Sequence, residues 1–233
     1  MMNKRPGGEL ASRPLHFFWI ADCSVSMSGD KIQQLNTAIR ETIPHMQKVA
    51  DENPYANLLI RAIKFSNGAQ WHISQPTPVS DFKWLDLTAE GMTDMGKALS
   101  MLAEQLKIPP MTDRALPPVL VMISDGQPTD EFKEGLNALM ALPWGKKAVR
   151  IAIAIGKDAD CDILQQFIGH SEMQPLKANN PEQLVNYIRW VSTAVIQSVS
   201  SPPSQPETNG QSVVNVPLPP LPVSDPTSAG DVW

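Results

Sequence analysis

Side chains that carry oxygen atoms are concentrated in three short loops of this 233-residue chain. Two of these loops follow directly after apolar stretches, at 22–26 (Asp-Cys-Ser-Val-Ser) and at 124–130 (Ser-Asp-Gly-Gln-Pro-Thr-Asp). The third, 91–94 (Gly-Met-Thr-Asp), precedes a stretch whose apolar residues have helical spacing. In open α/β sheets, ligands bind beyond the carboxyl ends of the strands, and we therefore expect these loops to meet at one site.

The donor atoms in these loops are of the kind that bind a hard cation. Asp22, Ser24 and Ser26 are two positions apart, so in an extended or turning loop their oxygens can point to one side. Thr93 and Asp125 complete a set of three hydroxyls and two carboxylates, which matches Mg²⁺, with Mn²⁺ or Ca²⁺ as alternatives. Taken singly, each residue is better explained by a turn or a helix cap, and only the combination favours a metal.

Alternating strands and helices must position these loops. Apolar or alternating segments predict strands over 15–21, 56–65, 69–73, 119–123 and 149–155, with a hairpin turn at 67–68 (Asn-Gly). Apolar residues at helical spacing predict helices from 30, from about 94, over 129–141 and 161–167, and from 181. This order predicts an α/β fold with a doubly wound, mostly parallel central sheet flanked by helices in a three-layer sandwich.

Two helices carry explicit end signals. Asp30 is expected to cap the first helix, with Gln33 in the capping-box position, and Pro44 is expected to kink that helix or end it early. Asn180 is expected to cap the last helix, with Gln183 completing its box.

Composition divides the chain into a domain and two flanking segments. We expect a flexible N-terminal arm over 1–14, one domain over 15–199 and a disordered, acidic tail over 200–233 that holds eight of the 22 prolines. Two interpretations of the tail remain open, a solubilising linker and a docking peptide. The formal net charge of −5 disfavours nonspecific nucleic-acid binding. With two cysteines, no evident signal peptide and no long apolar segment, we expect a cytoplasmic protein without a membrane partner.

The three loops together resemble the metal-ion-dependent adhesion site of von Willebrand factor A domains. The resemblance rests on Asp22-x-Ser24-x-Ser26, Thr93 and Asp125, and it covers residues 15–199. Segments 91–99 and 155–160 are similar to the bacterial TerY-like branch, which is associated with tellurite resistance.

The resemblance implies a role for each site residue. Ser24, Ser26 and Thr93 would be hydroxyl ligands of the cation, and Asp22 and Asp125 would act through bound water or as hydrogen-bond acceptors. One coordination position would stay open for an Asp or Glu of a protein partner. The candidates for contact with that partner are Cys23, Met92, Asp94, Gly126 and Gln127.

The function that the resemblance implies is a non-enzymatic adaptor. TerY-like proteins commonly accompany a Ser/Thr kinase and a metal-dependent Ser/Thr phosphatase, which implies a bacterial stress or defence response. The alternative is a Mg²⁺-dependent phosphohydrolase of the haloacid dehalogenase type, but Ser24 stands where such enzymes need an acid/base Asp. Asp158, Asp160 and Asp162 suggest a second cation site, although a solvated loop and a helix start explain them better.

Overall fold

The computed structural model describes residues 12–200. Within this range the chain forms six strands: β1 (Arg13–Asp22), β2 (Ala56–Ser66), β3 (Gly68–Pro78), β4 (Val119–Ser124), β5 (Val149–Ile155) and β6 (Leu176–Ala178). The helices of the same range are α1 (Asp30–Asp51), α2 (Met95–Gln105), α3 (Phe132–Met140), α4 (Pro143–Lys147), α5 (Cys161–Ile168), α6 (Pro181–Trp190) and α7 (Ile196–Ser200). A 3₁₀ turn (Val25–Met27) precedes α1, and a π-helical turn (Val191–Val195) joins α6 to α7.

The six strands form one sheet in the order β3-β2-β1-β4-β5-β6. Every neighbouring pair is parallel except β2 and β3, which form the predicted antiparallel hairpin at Asn67-Gly68. The order runs outward in both directions from the β1–β4 pair, so the sheet is doubly wound. The predicted fold class is confirmed.

Helices cover both faces of this sheet. Along β1, Phe17 and Trp19 belong to the core that also contains α1 and α6, whereas Phe18 and Ile20 belong to the core that contains α2, α3 and α5. All four side chains are fully buried, as expected for a strand that runs through the middle of three layers. This packing fixes the position of β1, whose last residue is the first candidate site residue.

The first helix begins where it was predicted, but a different residue caps it and it does not end at Pro44. Gly29, with a φ of 77°, occupies the N-cap position, and Asp30 is the first helical residue without a capping hydrogen bond. The helix also continues through Pro44 to Asp51. Pro44 removes one backbone donor, but Met46 and Val49 beyond it are buried against the sheet, and their burial holds the last two turns.

The start of α6 was predicted correctly, whereas two short elements were not predicted. The side chain of Asn180 accepts a hydrogen bond from the Gln183 amide at the start of α6, as its capping role requires. Strand β6 and helix α4 were not predicted, because three and five residues are too few to show a hydrophobic period.

The first strand overlaps the predicted N-terminal arm. Strand β1 begins at Arg13, inside the expected arm, and the Arg13 guanidinium donates to the carbonyls of Arg114 and Ala115. The rest of the arm and the tail from 201 onward lie outside the described residues. In the part that is described, no helix is both long and apolar enough to cross a membrane.

Candidate metal centre

Strand pairing brings the two candidate carboxylates together. β1 and β4 are parallel neighbours with Ala21 opposite Ile123, so Asp22 and Asp125 follow at the same edge of the sheet. Both residues are buried, with exposed fractions of 0% for Asp22 and 8% for Asp125. The expectation that these two loops meet at the carboxyl edge is therefore confirmed.

The first loop folds back on the Asp22 carboxylate. Asp22 Oδ1 accepts a hydrogen bond of 2.8 Å from the backbone amide of Ser24. The 3₁₀ turn that follows places the Ser24 and Ser26 hydroxyl oxygens 2.9 Å apart. Ser24 is buried and Ser26 is exposed, so the pair of hydroxyls leads from the protein interior to solvent.

Ser124 joins this loop to the next one. Its hydroxyl donates to Asp22 Oδ2 at 2.5 Å and accepts a hydrogen bond of 2.8 Å from the Gly126 amide. Sequence reasoning did not assign Ser124 a role. The available signal was one hydroxyl at the last position of an otherwise apolar strand, where a side chain faces the site.

Asp125 carries the clearest indication of a bound cation. Its Oδ1 atom is buried and has no hydrogen-bond donor among the described residues. A buried carboxylate oxygen without a partner is costly, and a cation or a cation-bound water would satisfy it. The same range contains no group of three His, Cys, Asp or Glu side chains placed to hold a metal.

The loop that carries Thr93 is held in place from two sides. The Thr93 amide donates to Thr129 Oγ1 at 2.9 Å, and the Thr129 amide donates to the Thr93 carbonyl at 2.9 Å. On the other side, the Asn67 side chain accepts a hydrogen bond from the Met92 amide. Sequence reasoning placed Asn67 in a hairpin turn and Thr129 in a helix, and it missed that both support this loop.

Asp130 explains why α3 begins later than predicted. Its two carboxylate oxygens accept hydrogen bonds of 2.8 Å from the amides of Gly96 and Lys97 in the first turn of α2. Because Thr129 and Asp130 are both bonded to the 93–97 segment, the helix starts only at Phe132.

The five residues predicted to contact a partner fall into two groups. Met92, with an exposed fraction of 53%, and Gln127 are at the surface. Cys23 and Gly126 are buried, and the Asp94 carboxylate accepts hydrogen bonds from the Gly68 amide, Lys97 and Thr129. The atoms of Cys23, Asp94 and Gly126 thus support the loops around the site. Contact with a partner stays a prediction for all five residues.

The suggested second cation site has a structural explanation. Asp160 Oδ1 accepts hydrogen bonds from the amides of Asp162 and Ile163, which makes it the N-cap of α5. Its backbone amide also donates to the Asp125 carbonyl at 2.6 Å. Asp160 therefore supports the loop that carries Asp125, in agreement with the preferred interpretation of a helix start.

Comparison with known proteins identifies the family. The family model described as the von Willebrand factor type A domain matches residues 18–188. The chain belongs to this family. Domains of this family often mediate protein–protein interactions and are generally non-enzymatic.

Solved structures agree with this assignment at the level of the fold. The ArnB paralog VWA2 from Sulfolobus acidocaldarius has a TM-score of 0.56 and 20% identity, over 77% of this chain and 46% of that one. A von Willebrand factor type A structure from Catenulispora acidiphila has a TM-score of 0.58 and 14% identity, over 79% of this chain and 43% of that one.

A third structure contains a metal. Proximal thread matrix protein 1 from the mussel byssus, with a zinc-occupied MIDAS motif, has a TM-score of 0.59 and 16% identity, over 79% of this chain and 46% of that one. The von Willebrand factor A chain described here thus spans slightly less than half of the length of these three structures. Comparison with curated protein sequences gives no match.

Burial also controls the charge of the site in this von Willebrand factor A domain. It raises the pKa of Asp22 to about 6; the hydrogen bonds from Ser124 and Ser24 oppose this shift, and the nearby Asp125 adds to it. Burial likewise raises the pKa of Cys23 to about 12. The Cys23 thiol therefore stays protonated at neutral pH, as expected of a small residue that packs beside the site.

The raised pKa of Asp22 predicts a pH-dependent response to Mg²⁺. The folded chain favours the protonated carboxyl, so without Mg²⁺ this group stabilises the fold less as pH rises from about 4 to about 6. Cation binding requires the ionised carboxylate of Asp22, and at pH 5 only about a tenth of this group is ionised. The apparent Mg²⁺ affinity should therefore be about tenfold lower at pH 5 than at pH 7.5. Thermal unfolding with and without Mg²⁺ at pH 5, 6 and 7.5 measures this. Equal increases in Tm at pH 5 and 7.5 would contradict it.

A second prediction concerns Ser124. Ser124→Ala removes the donor to Asp22 and the acceptor of the Gly126 amide, so we expect Mg²⁺ affinity, measured by calorimetry, to fall about tenfold. The matched control is Ser192→Ala, which removes a buried hydroxyl that donates to the Ile188 carbonyl within one helical segment. Equal Mg²⁺ affinities in Ser124→Ala and Ser192→Ala would show that Ser124 does not position the site.

Proposed function

We propose that this von Willebrand factor A domain is a metal-dependent, non-enzymatic binding module that holds an Asp or Glu of a protein partner. Ser24, Ser26 and Thr93 supply hydroxyl ligands, and Asp22 and Asp125 accept from cation-bound water. The observation that carries the proposal is the unpartnered, buried Oδ1 of Asp125 beside the two linked serine hydroxyls. Mg²⁺ is the proposed ion, because oxygen donors of this kind suit a hard cation.

The charge balance of the site supports a carboxylate ligand. When bound, the cation supplies a positive charge that the neutral hydroxyl ligands do not cancel. The exposed position of Ser26 leaves the outer side of the site open to solvent, and a partner carboxylate can approach from there.

The surroundings of Asp22 argue against the alternative of a phosphohydrolase. A nucleophilic carboxylate must reach the substrate, but Asp22 is fully buried and both of its oxygens accept hydrogen bonds from the chain. The Ser26 hydroxyl of the same loop is exposed, but among residues 12–200 its hydrogen-bond partner is the Ser24 hydroxyl, which is not a base.

The proposed biological setting follows from the sequence similarity to TerY-like proteins. We place the chain in the cytoplasm of a bacterium, in a tellurite-type stress or defence response, with a Ser/Thr kinase and a metal-dependent Ser/Thr phosphatase as partners. The similarity lies in segments 91–99 and 155–160, which include the loop of Thr93 and the turn after β5. The proposed organisation is a binding domain over 15–199 followed by a tail over 200–233.

The test is recovery of partners from a cell extract with the full chain as bait. We expect one set of proteins to be retained with Mg²⁺ and lost both with EDTA and in Ser26→Ala. The control is Ser28→Ala, which removes an exposed hydroxyl two residues away that is not among the proposed ligands. Mass spectrometry then shows whether a Ser/Thr kinase or phosphatase is in that set.

Two outcomes would contradict the proposal. Identical recovery with Mg²⁺, with EDTA and with Ser26→Ala would show that partners bind elsewhere. Mg²⁺-dependent hydrolysis of p-nitrophenyl phosphate by the native chain, lost in Ser26→Ala, would instead support the phosphohydrolase.

A further inference from the structure

A cleft opens beside the proposed metal centre. Its volume is about 170 Å³, and Ser26 and Asp125 form the wall that it shares with the site. Two lysines, Lys31 and Lys157, line the cleft together with Gln127. A group that reaches the cation from this side would therefore pass a wall to which two lysines contribute.

The fold places these lysines on one side of the cation. Lys31 is in the first turn of α1, which follows the 3₁₀ turn of the Ser26 loop. Lys157 follows β5, and the turn there is fixed by Gly156, whose φ is 90° and whose amide donates to the Ala178 carbonyl. Since β5 is next to β4 in the sheet, Lys157 lies beyond the Asp125 loop.

The opposite side of the site, away from the cleft, carries exposed apolar side chains. Met92 lies beside the β2–β3 hairpin, because its amide donates to the Asn67 side chain, and the Val25 amide donates to the neighbouring Gly91 carbonyl. The exposed fractions of Val25 and Met92 are 67% and 53%. The surface around the cation thus has an apolar side and a side with two lysines.

The cleft also contains acidic side chains, but these do not cancel the positive charge that favours an anionic ligand. Asp125 belongs to the proposed metal centre, where the cation balances its charge. Asp158 is exposed at the rim, and its carbonyl accepts a hydrogen bond from the Gln127 side chain. With a divalent cation bound, the site and cleft together carry a positive balance, which favours an anionic ligand.

We propose that the cleft binds a second acidic side chain of the partner, next to the carboxylate that reaches the cation. This inference rests on the proposed function and specifies its partner, a segment with two acidic residues close together in sequence. Ion pairs at an exposed rim are individually weak, so Lys31 and Lys157 together should strengthen binding only about fivefold. The effect should also decrease at high salt.

Synthetic peptides test the inference directly. The probes are fluorescein-labelled Gly-Ser peptides with one Asp, or with one Asp and a Glu placed one to four positions away. Fluorescence anisotropy with the full native chain and Mg²⁺ should show about fivefold tighter binding for at least one two-acid spacing than for the one-acid peptide.

Variants identify the residues responsible. Lys31→Gln and Lys157→Gln should weaken binding of the two-acid peptide by a larger factor than binding of the one-acid peptide. Lys48→Gln is the matched control, because Lys48 is exposed near the far end of the same helix α1 and lies 3.9 Å from Glu52. Lys31→Glu should reverse the preference and favour a peptide that carries Asp and Lys.

The outcomes separate the two proposals. If the one-acid peptide binds with Mg²⁺ and no two-acid peptide binds more tightly, the second acidic subsite is wrong and the proposed function stands. If no peptide binds in a Mg²⁺-dependent way, both are contradicted. If inorganic phosphate displaces the two-acid peptide from the native chain but not from Lys31→Gln, the cleft is a phosphate site and this inference is overturned.

Discussion

Replacing Asp22 by Asn should lower the affinity for Mg²⁺ about 100-fold and leave the chain without Mg²⁺ at least as stable as the native protein. The amide has almost the same shape as the carboxyl group. Its oxygen can accept from the Ser24 amide, and its nitrogen can donate to the Ser124 oxygen with the direction of that hydrogen bond reversed, so one hydrogen bond remains at each position. What the substitution removes is a buried negative charge, which burial and Asp125 disfavour in the absence of a cation.

Calorimetry with Mg²⁺ and thermal unfolding in EDTA measure the two halves of this prediction. Asp81→Asn is the control, because Asp81 is an exposed carboxylate in the loop after β3, and both quantities should stay at their native values. A large loss of stability in Asp22→Asn in EDTA would show that the carboxylate stabilises the fold by itself. An unchanged Mg²⁺ affinity would place the cation elsewhere.

Replacing Gly135 by Ala should destabilise the protein by about 2 kcal/mol. Gly135 in α3 packs against Gly96 in α2, and a Cβ atom at Gly135 would overlap the backbone carbonyl of Gly96. Because backbone atoms cannot rotate away, the two helices must separate, and overpacking of this kind costs about 3 kcal/mol. The higher helix propensity of Ala returns about 1 kcal/mol of this cost.

The same substitution should weaken Mg²⁺ binding. Gly96 is in the first turn of α2, directly after the loop of Thr93, so a shift of α2 moves a proposed ligand. Thermal unfolding should show Tm lower by about 6 °C, and Mg²⁺ titration should show reduced affinity. Asn137→Ala, at an exposed position of the same helix, gives the gain in helix propensity without the overlap and should be slightly stabilising. Equal stability of Gly135→Ala and Asn137→Ala would contradict the close contact.

The candidate site was predicted well where it depends on strand ends. The buried runs at 15–21 and 119–123 are apolar on both faces, which places them at the centre of a parallel sheet. Asp22 and Asp125 follow these runs, so the rule that ligands bind at the carboxyl ends was sufficient to bring them together.

The cap of α1 and the possible early end at Pro44 were predicted from local signals only, and both differ from the structure. Pro44 and the Asp30 capping pattern are local features. The stability that a proline removes from a helix and the stability that an N-cap adds are each on the order of 1–3 kcal/mol. Burial of the residues that follow Pro44 outweighs them. The length of α1 was therefore decided by packing against the sheet.

By itself, the sequence determined the α/β class, the order of the main elements and the family, and it predicted the five oxygen-bearing residues of the proposed site. Only the tertiary structure decided which other groups support them. Ser124, Thr129 and Asn67 act through single hydrogen bonds to residues of other loops. Such partners leave no periodic signal in the sequence, because they are set by how the strands and helices pack. For the same reason, the burial of Cys23 and the cleft with Lys31 and Lys157 become evident only after the sheet has brought these separate segments together.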